Sequence, residues 1–462
     1  MPLKSIGWHV ALYLGLLAFP LLAHLAVPYT PARLLPPIWV SALWVGPVGL
    51  LAFMRNPLDR LVAFVWLGWF VVGSLNIVAS YYIWGSYWDV EAGPADLVYV
   101  AFTFVFFAGL LAAEALRRRL PGSPPQPAQR HSTGSLHPAF EWLMLLFPLF
   151  YAVSMYRTLG YLPLLQGVDL TKDIYELDYG RLYGYSIVLV LSALVAVHKA
   201  RHARMPIGRL GYAILVPTFL FVSILDGKRF NLMLFMAAIL VYFLSVSRRR
   251  TSTLGGWATV LGIGLAGVVL YVGVLILRQG FNLDAYAGVA LQLQAVGVEH
   301  RDFVYSLNHY TPGHIPNYHW AGSAAASALN SKLLEAFGVD KLAHVFQGSA
   351  YVWKDLFGIE YGIRTGIISE LYFAYGWFGL PVILGVGIVV GMLATALSKN
   401  ISPTRLVFGS TAYAMLLLTI VGQTTGITGG LTVLLYAYVV LLMARTFFPL
   451  PALGRLGAES EA

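Results

Sequence analysis

Arginine is the residue type in this sequence best suited to hold a substrate group. Four arginines fall at the ends of apolar runs: Arg229 in LDGKRFN, Arg278 in LILRQGF, Arg301 in VEHRDFVY and Arg364 in YGIRTGI. Arg157 and Arg181 bracket a short polar segment, and Lys228 directly precedes Arg229. A guanidinium presents a planar fork of donors matched to phosphate oxygens, and each charge-assisted hydrogen bond contributes about 1.5–3 kcal/mol. A diphosphate is the natural partner for such a set, although any one of these cations could equally anchor a helix by snorkelling or pair with a nearby acid. Glu370 is the matching anomaly on the acidic side. It falls near the start of the apolar run from Thr365 to Ala396, where an ionisable group is costly unless paired or functional. Arg364 lies six residues earlier and would not share a helical face with it. Glu370 is therefore a candidate general base or sugar contact.

The same region holds His300, His309, His314, His319 and His344, with Tyr305, Tyr310, Tyr318 and Trp320 among them. The five-residue recurrence of histidines around Pro312 and Pro316 is not a helical metal spacing, and no flanking carboxylate completes a set, so no metal site is expected. Aromatic rings interleaved with His, Asn and Gly suit the apolar faces of sugars, and they suit a packed cap equally well. The chain has no cysteine, which excludes disulfides, thiolate nucleophiles and Cys-ligated metals.

The elements that must position these residues are membrane helices. Of 462 residues, 58% are hydrophobic and 11% charged, too little polar surface to coat a soluble globule of this size. Apolar runs at 5–27, 37–54, 61–84, 95–114, 138–157, 182–198, 209–225, 230–246, 254–277, 366–396, 406–422 and 429–446 each have the length of a bilayer crossing. The first run is long for a signal peptide and lacks a small-residue cleavage site before Pro28, which predicts a retained helix. With the N-terminus inside, every second connection should be basic, and Arg117–Arg119, Arg248–Arg250, Lys199, Arg201, Lys399 and Arg405 all fall there. Both termini are thus expected on the cytoplasmic side of a bacterial inner membrane. The net charge of +9 reflects this loop bias and implies no nucleic-acid partner.

The chain divides into 1–116 with four helices, a Pro-rich cytoplasmic linker at 117–137, 138–277 with five helices and an outer loop at 158–181, a large outer loop at 278–365, 366–446 with three helices, and a tail at 447–462. Within the large loop, Ser323 to Gly338 reads as one helical piece with Leu329, Leu333, Leu334 and Phe337 on a face opposite Lys332 and Glu335. It would lie on the membrane or cap a cavity. The GQTTGITGG stretch, Gly422 to Gly430, reads as a flexible turn. Glu141 reads as an interfacial charge. No matched pair of broken helices marks a transporter.

Three stretches resemble the bacterial oligosaccharide repeat-unit polymerases, the Wzy-type O-antigen polymerases: LGYLPLLQG (Leu159 to Gly167), LDGKRFNLMLFMAAILVYFL (Leu225 to Leu244) and GIRTGIISELYFAYGWFGLPVILGVGIVVGML (Gly362 to Leu393). VEHRD (Val298 to Asp302) resembles the Glu-x-Arg element that the family carries early in its large loop, and the likeness runs from about residue 138 onward. It implies an all-α polytopic membrane protein of about 12 transmembrane helices, GT-C-like, related to the O-antigen ligases of lipopolysaccharide biosynthesis. The implied activity is inverting transfer of a growing glycan from undecaprenyl pyrophosphate to a new lipid-linked repeat unit at the periplasmic face, with no cofactor. The bilayer and a chain-length regulator are the other implied partners. Family arginines that hold the pyrophosphate map onto Arg229 and Arg301, with Arg364 and Arg278 beside them. Catalysis would fall to Glu370 and Arg301, and substrate contacts to Lys228, Arg181, Arg157, His300 and Tyr372. The family's base cannot be copied across, because the ligases carry a His ahead of the ELY-like segment where this chain has Thr365, and the Arg that often follows the PLL element is missing. An O-antigen ligase, another polyprenyl-dependent glycosyltransferase and a 12-helix transporter are the alternatives, with a non-catalytic assembly scaffold as a further one.

Overall fold

In the computed structural model of the chain, the described residues are 56–62, 93–119, 136–162, 179–203, 205–225, 229–246, 298–329, 331–345, 366–398, 402–418 and 424–447, with a few isolated positions besides. The expected spans at 5–27, 37–54 and 254–277, and most of 61–84, lie outside them. Among the described residues the regular structure is entirely helical. The helices are α1 (Gly93–Arg119), α2 (Pro138–Leu159), α3 (Tyr179–His202), α4 (Pro206–Ile224), α5 (Arg229–Val246), α6 (Val298–His309), α7 (Trp320–Ala328), α8 (Ser331–Ala336), α9 (Lys341–Val345), α10 (Ile367–Tyr375), α11 (Leu380–Leu397), α12 (Pro403–Leu417) and α13 (Thr424–Phe447). Five stretches among them are long and apolar enough to cross a bilayer: Leu97–Leu116, Pro138–Leu159, Pro206–Ile224, Ile367–Leu397 and Gly426–Phe447. The chain is therefore a membrane-embedded helical protein.

Two compact units form. The first contains α1, α6 to α11 and the opening turn of α13. Its spine is the packing of α1 on α11, and small residues make that approach possible. A Cβ on Gly109 would collide with the Leu384 carbonyl, one on Gly387 with the Phe106 carbonyl, and one on Gly391 would stand 2.7 Å from Ala113 Cβ. Gly109 and Ala113 on α1, and Gly387 and Gly391 on α11, are each spaced by four, the small-residue pattern that lets membrane helices touch backbone to backbone. The contacts advance together along both helices, so α1 and α11 run parallel, as the alternating charge of their connections predicts. Phe102, Phe106 and Phe107 are fully buried, and Phe106 stacks on Trp66 at 3.8 Å.

The second unit holds α2 to α5, α12 and the rest of α13. Helix α3 is its axis, buried at every residue from Leu189 to Ala196, and α2, α4 and α5 pack around it. Tyr151, Met155, Leu189 and Leu225 form one core cluster. Outward faces of α2 and α4 stay apolar, with Trp142, Leu146, Leu149, Ile207 and Leu210 exposed, as lipid contact requires. At one end Glu141, opening α2, is an ion-pair partner of Lys199, closing α3. Near it His198 Nδ1 lies 2.9 Å from the Tyr242 hydroxyl. Glu141, at the end of its helix, is thus a buried and paired group.

Three expectations about elements change. The run 366–396 is not one helix: α10 ends at Tyr375, Gly376 takes a positive φ of 56°, and a 3-10 turn, Gly376–Gly379, precedes α11. The stretch Gly422 to Gly430 is not a flexible turn from Thr424 onward but the opening of α13. Ser323 to Gly338 is not one helix, because Leu329 adopts extended backbone at φ −90°, ψ 152° and separates α7 from α8.

Candidate functional site

The first unit gathers its polar side chains where α6, α10 and the start of α13 meet the segment leading into α7. Glu370, in the first turn of α10, is only 2% exposed. Thr424 holds its carboxylate: the Thr424 backbone N–H donates to Oε2 at 2.9 Å, and the Thr424 hydroxyl donates to the same oxygen. The carboxylate therefore sits at the N-terminus of α13, where unsatisfied N–H groups and the helix dipole both favour negative charge. Thr424 Oγ1 in turn accepts the Trp320 indole N–H at 3.1 Å.

Two segments of the large loop close over α10. The Tyr318 hydroxyl donates to the Glu370 carbonyl at 3.1 Å, and the Gly313 N–H donates to the Phe373 carbonyl at 3.1 Å. Burial, with the Glu370 carboxylate and Tyr375 adding to it, pushes the Tyr318 hydroxyl well above the usual phenol range. It therefore stays protonated and donating at any physiological pH.

Helix α6 brings the VEHRD segment onto α10 and α1. Glu299, His300 and Asp302 are all buried. The His300 ring stands 4.6 Å from Tyr99, and Glu299 and Asp302 lie within electrostatic reach of that phenol. Phe303 packs edge-on against Tyr372 at 5.8 Å and Phe373 at 5.3 Å. Arg301 lies on α6 two residues before Phe303, through which that helix packs on α10.

The remaining candidates are placed less closely. Tyr372 is half-buried, with Trp377 at 5.6 Å. Arg157 is exposed in the last turn of α2. Arg181 lies in the first turn of α3 and Arg229 is the first residue of α5. These three belong to the second unit, whereas Glu370, Arg301, His300 and Tyr372 belong to the first. Arg278, Arg364 and Lys228 lie outside the described residues. Among the described residues no cluster of His, Asp and Glu could hold a metal ion.

Sequence reasoning named Glu370 and missed its partner. Thr424 stands 54 positions away, in a glycine-rich stretch that gave no helical signal. Tyr318 and Trp320 were noticed as aromatic rings, yet both turn their polar tips toward the Glu370–Thr424 pair. The chain matches no protein-family model, no curated protein and no solved structure.

Proposed function

We propose that this chain joins polyprenyl-diphosphate-linked oligosaccharides at the outer face of the membrane, as a polymerase of surface-polysaccharide repeat units. The observation that carries the proposal is the meeting of two rare features on one helix. Helix α10 bears a buried carboxylate at the end of an apolar span, and the turn containing Arg301 packs against it. Both segments are among those that resemble the Wzy-type polymerases.

In the proposed reaction an acceptor sugar hydroxyl attacks the anomeric carbon of the donor glycan from the face opposite the diphosphate. The new C–O bond forms as the bond to the diphosphate breaks, and the leaving group departs with that electron pair. Arg301 binds the diphosphate, and its guanidinium offsets the negative charge that grows on the leaving group. Glu370 orients the acceptor hydroxyl and takes its proton. The Thr424 donors fix the carboxylate, and Tyr318 fixes the backbone that carries it.

Purified protein in liposomes, supplied with a polyprenyl-diphosphate-linked repeat unit, should yield a ladder of lengthened glycans and free polyprenyl diphosphate. Transfer only onto a different acceptor would assign the chain to the ligases. A transporter is the alternative that the same liposomes test. Solute movement across those liposomes with no glycan joined would establish it.

A further inference from the structure

We propose that Trp320–Phe337 forms a re-entrant foot, in which α7 descends beside the opening turns of α13 into the bilayer and α8 rests on lipid acyl chains through Leu329, Leu333 and Phe337. Trp320 reaches Thr424, the first residue of α13, and one turn further along both helices the Thr428 hydroxyl donates to the Ala324 carbonyl at 3.0 Å. Further on, a Cβ on Gly429 would stand 3.3 Å from the Ser327 carbonyl. The two helices therefore advance in the same direction. Thr428 and Gly429 already lie inside the apolar span Gly426–Phe447, so the C-terminal end of α7 sits below the edge of that span.

A second marker gives the level at which α7 starts. The Trp320 ring stands 5.6 Å from Tyr375, beside the break at Gly376–Gly379 where Trp377 is 45% and Phe378 86% exposed. Exposed aromatic rings at the end of a membrane helix belong at the interface with water. The following α11 has 18 residues, a length of about 27 Å that nearly matches a hydrocarbon core. Helix α7 thus begins at the interface and points inward.

Its composition suits that path. The α7 sequence WAGSAAASA contains no charge. Both of its later serine hydroxyls are satisfied inside the hairpin, Ser323 by the Val345 carbonyl at 3.1 Å and Ser327 by the Ser323 carbonyl at 2.9 Å. Lys341 Nζ donates to the Leu329 carbonyl at 2.6 Å and covers the end of α7. Helix α8 then presents Leu333, Ala336 and Phe337 on one face, at the i, i+3, i+4 spacing, and Lys332 and Glu335 on another. Leu334 turns inward at 8% exposure, while Phe337 is 76% exposed and Leu333 50%. A short amphipathic helix held at the membrane edge by a buried tether buries such a face among acyl chains.

The absence of cysteine from the chain makes single-site labelling direct. Full-length Phe337→Cys and Glu335→Cys variants, each carrying an environment-sensitive fluorophore, are reconstituted in phosphatidylethanolamine–phosphatidylglycerol vesicles with or without a doxyl-labelled lipid. At position 337 the emission should be blue-shifted, quenched several-fold more by doxyl lipid than at 335, and several-fold less by aqueous iodide. Leu333→Cys repeats the measurement should the first variant fold poorly. Iodide reaching 337 as readily as 335 would overturn the foot, and so would shielding of 333 and 337 from both quenchers, which would show protein covering the face.

Discussion

Replacing Thr424 with valine removes the hydroxyl that ties the last helix to Glu370 while keeping nearly the same shape. In the native chain that hydroxyl donates to the Glu370 carboxylate and accepts from the Trp320 indole. A hydrogen bond to a charged acceptor contributes about 1.5–3 kcal/mol, and the half-exposed indole recovers part of its own loss through water, so the substitution should cost about 2–4 kcal/mol. Glu370→Gln is the informative partner, because its amide oxygen still accepts from Thr424 but carries no charge. In that background Thr424→Val should cost only about 1 kcal/mol, leaving a coupling of about 1–3 kcal/mol between the two sites. Chemical unfolding of the four proteins in one detergent measures the cycle. An unfolding midpoint unchanged by Thr424→Val, or an equal cost in both backgrounds, would refute the clamp.

Other outcomes follow from the packing and the buried charges. Gly387→Val forces α1 and α11 apart, since even a Cβ there meets the Phe106 carbonyl; it should destabilise the fold by about 1–3 kcal/mol or more, seen as a lower thermal midpoint that Val389→Ala on the exposed face does not share. Lys199→Met strands the buried Glu141 carboxylate and should cost about 3 kcal/mol, most of it regained when Glu141→Gln is added. The raised Tyr318 pKa means the folded chain keeps its phenol protonated when the unfolded chain, near pH 10, begins to lose it. That contribution is whole below pH 10 and declines above it, so thermal midpoints taken at pH 9 and pH 11 should diverge more in the native chain than in Tyr318→Phe.

Helix positions were legible because hydropathy alone determines where a chain can cross lipid. The run 138–157 became Pro138–Leu159, and 230–246 became Arg229–Val246. The charge pattern puts the openings of α1, α10 and α13 at one end, and what the fold shows of this is that they share one unit. What failed were places where averaging hides a single residue. A hydropathy window passes through Gly376 without registering that its backbone turns the chain, and the glycines at 426, 429 and 430 look like a loop although Gly429 lets α7 pack closely against α13. Glu370 stood out because its burial is expensive anywhere in the run. Thr424 did not, since a threonine is unremarkable until the fold sets it opposite that carboxylate.

The central claim is that Arg301 grips a diphosphate while Glu370, on the helix beside it, receives the acceptor's proton. Liposomes carrying native protein, Arg301→Ala or Glu370→Gln, each given radiolabelled polyprenyl-diphosphate-linked repeat units, test it through the rate of polyprenyl diphosphate release. The native chain should release polyprenyl diphosphate steadily with a glycan ladder, and each variant should lose at least about a hundredfold, with Glu370→Gln still folded. Release at the native rate from either variant would contradict it.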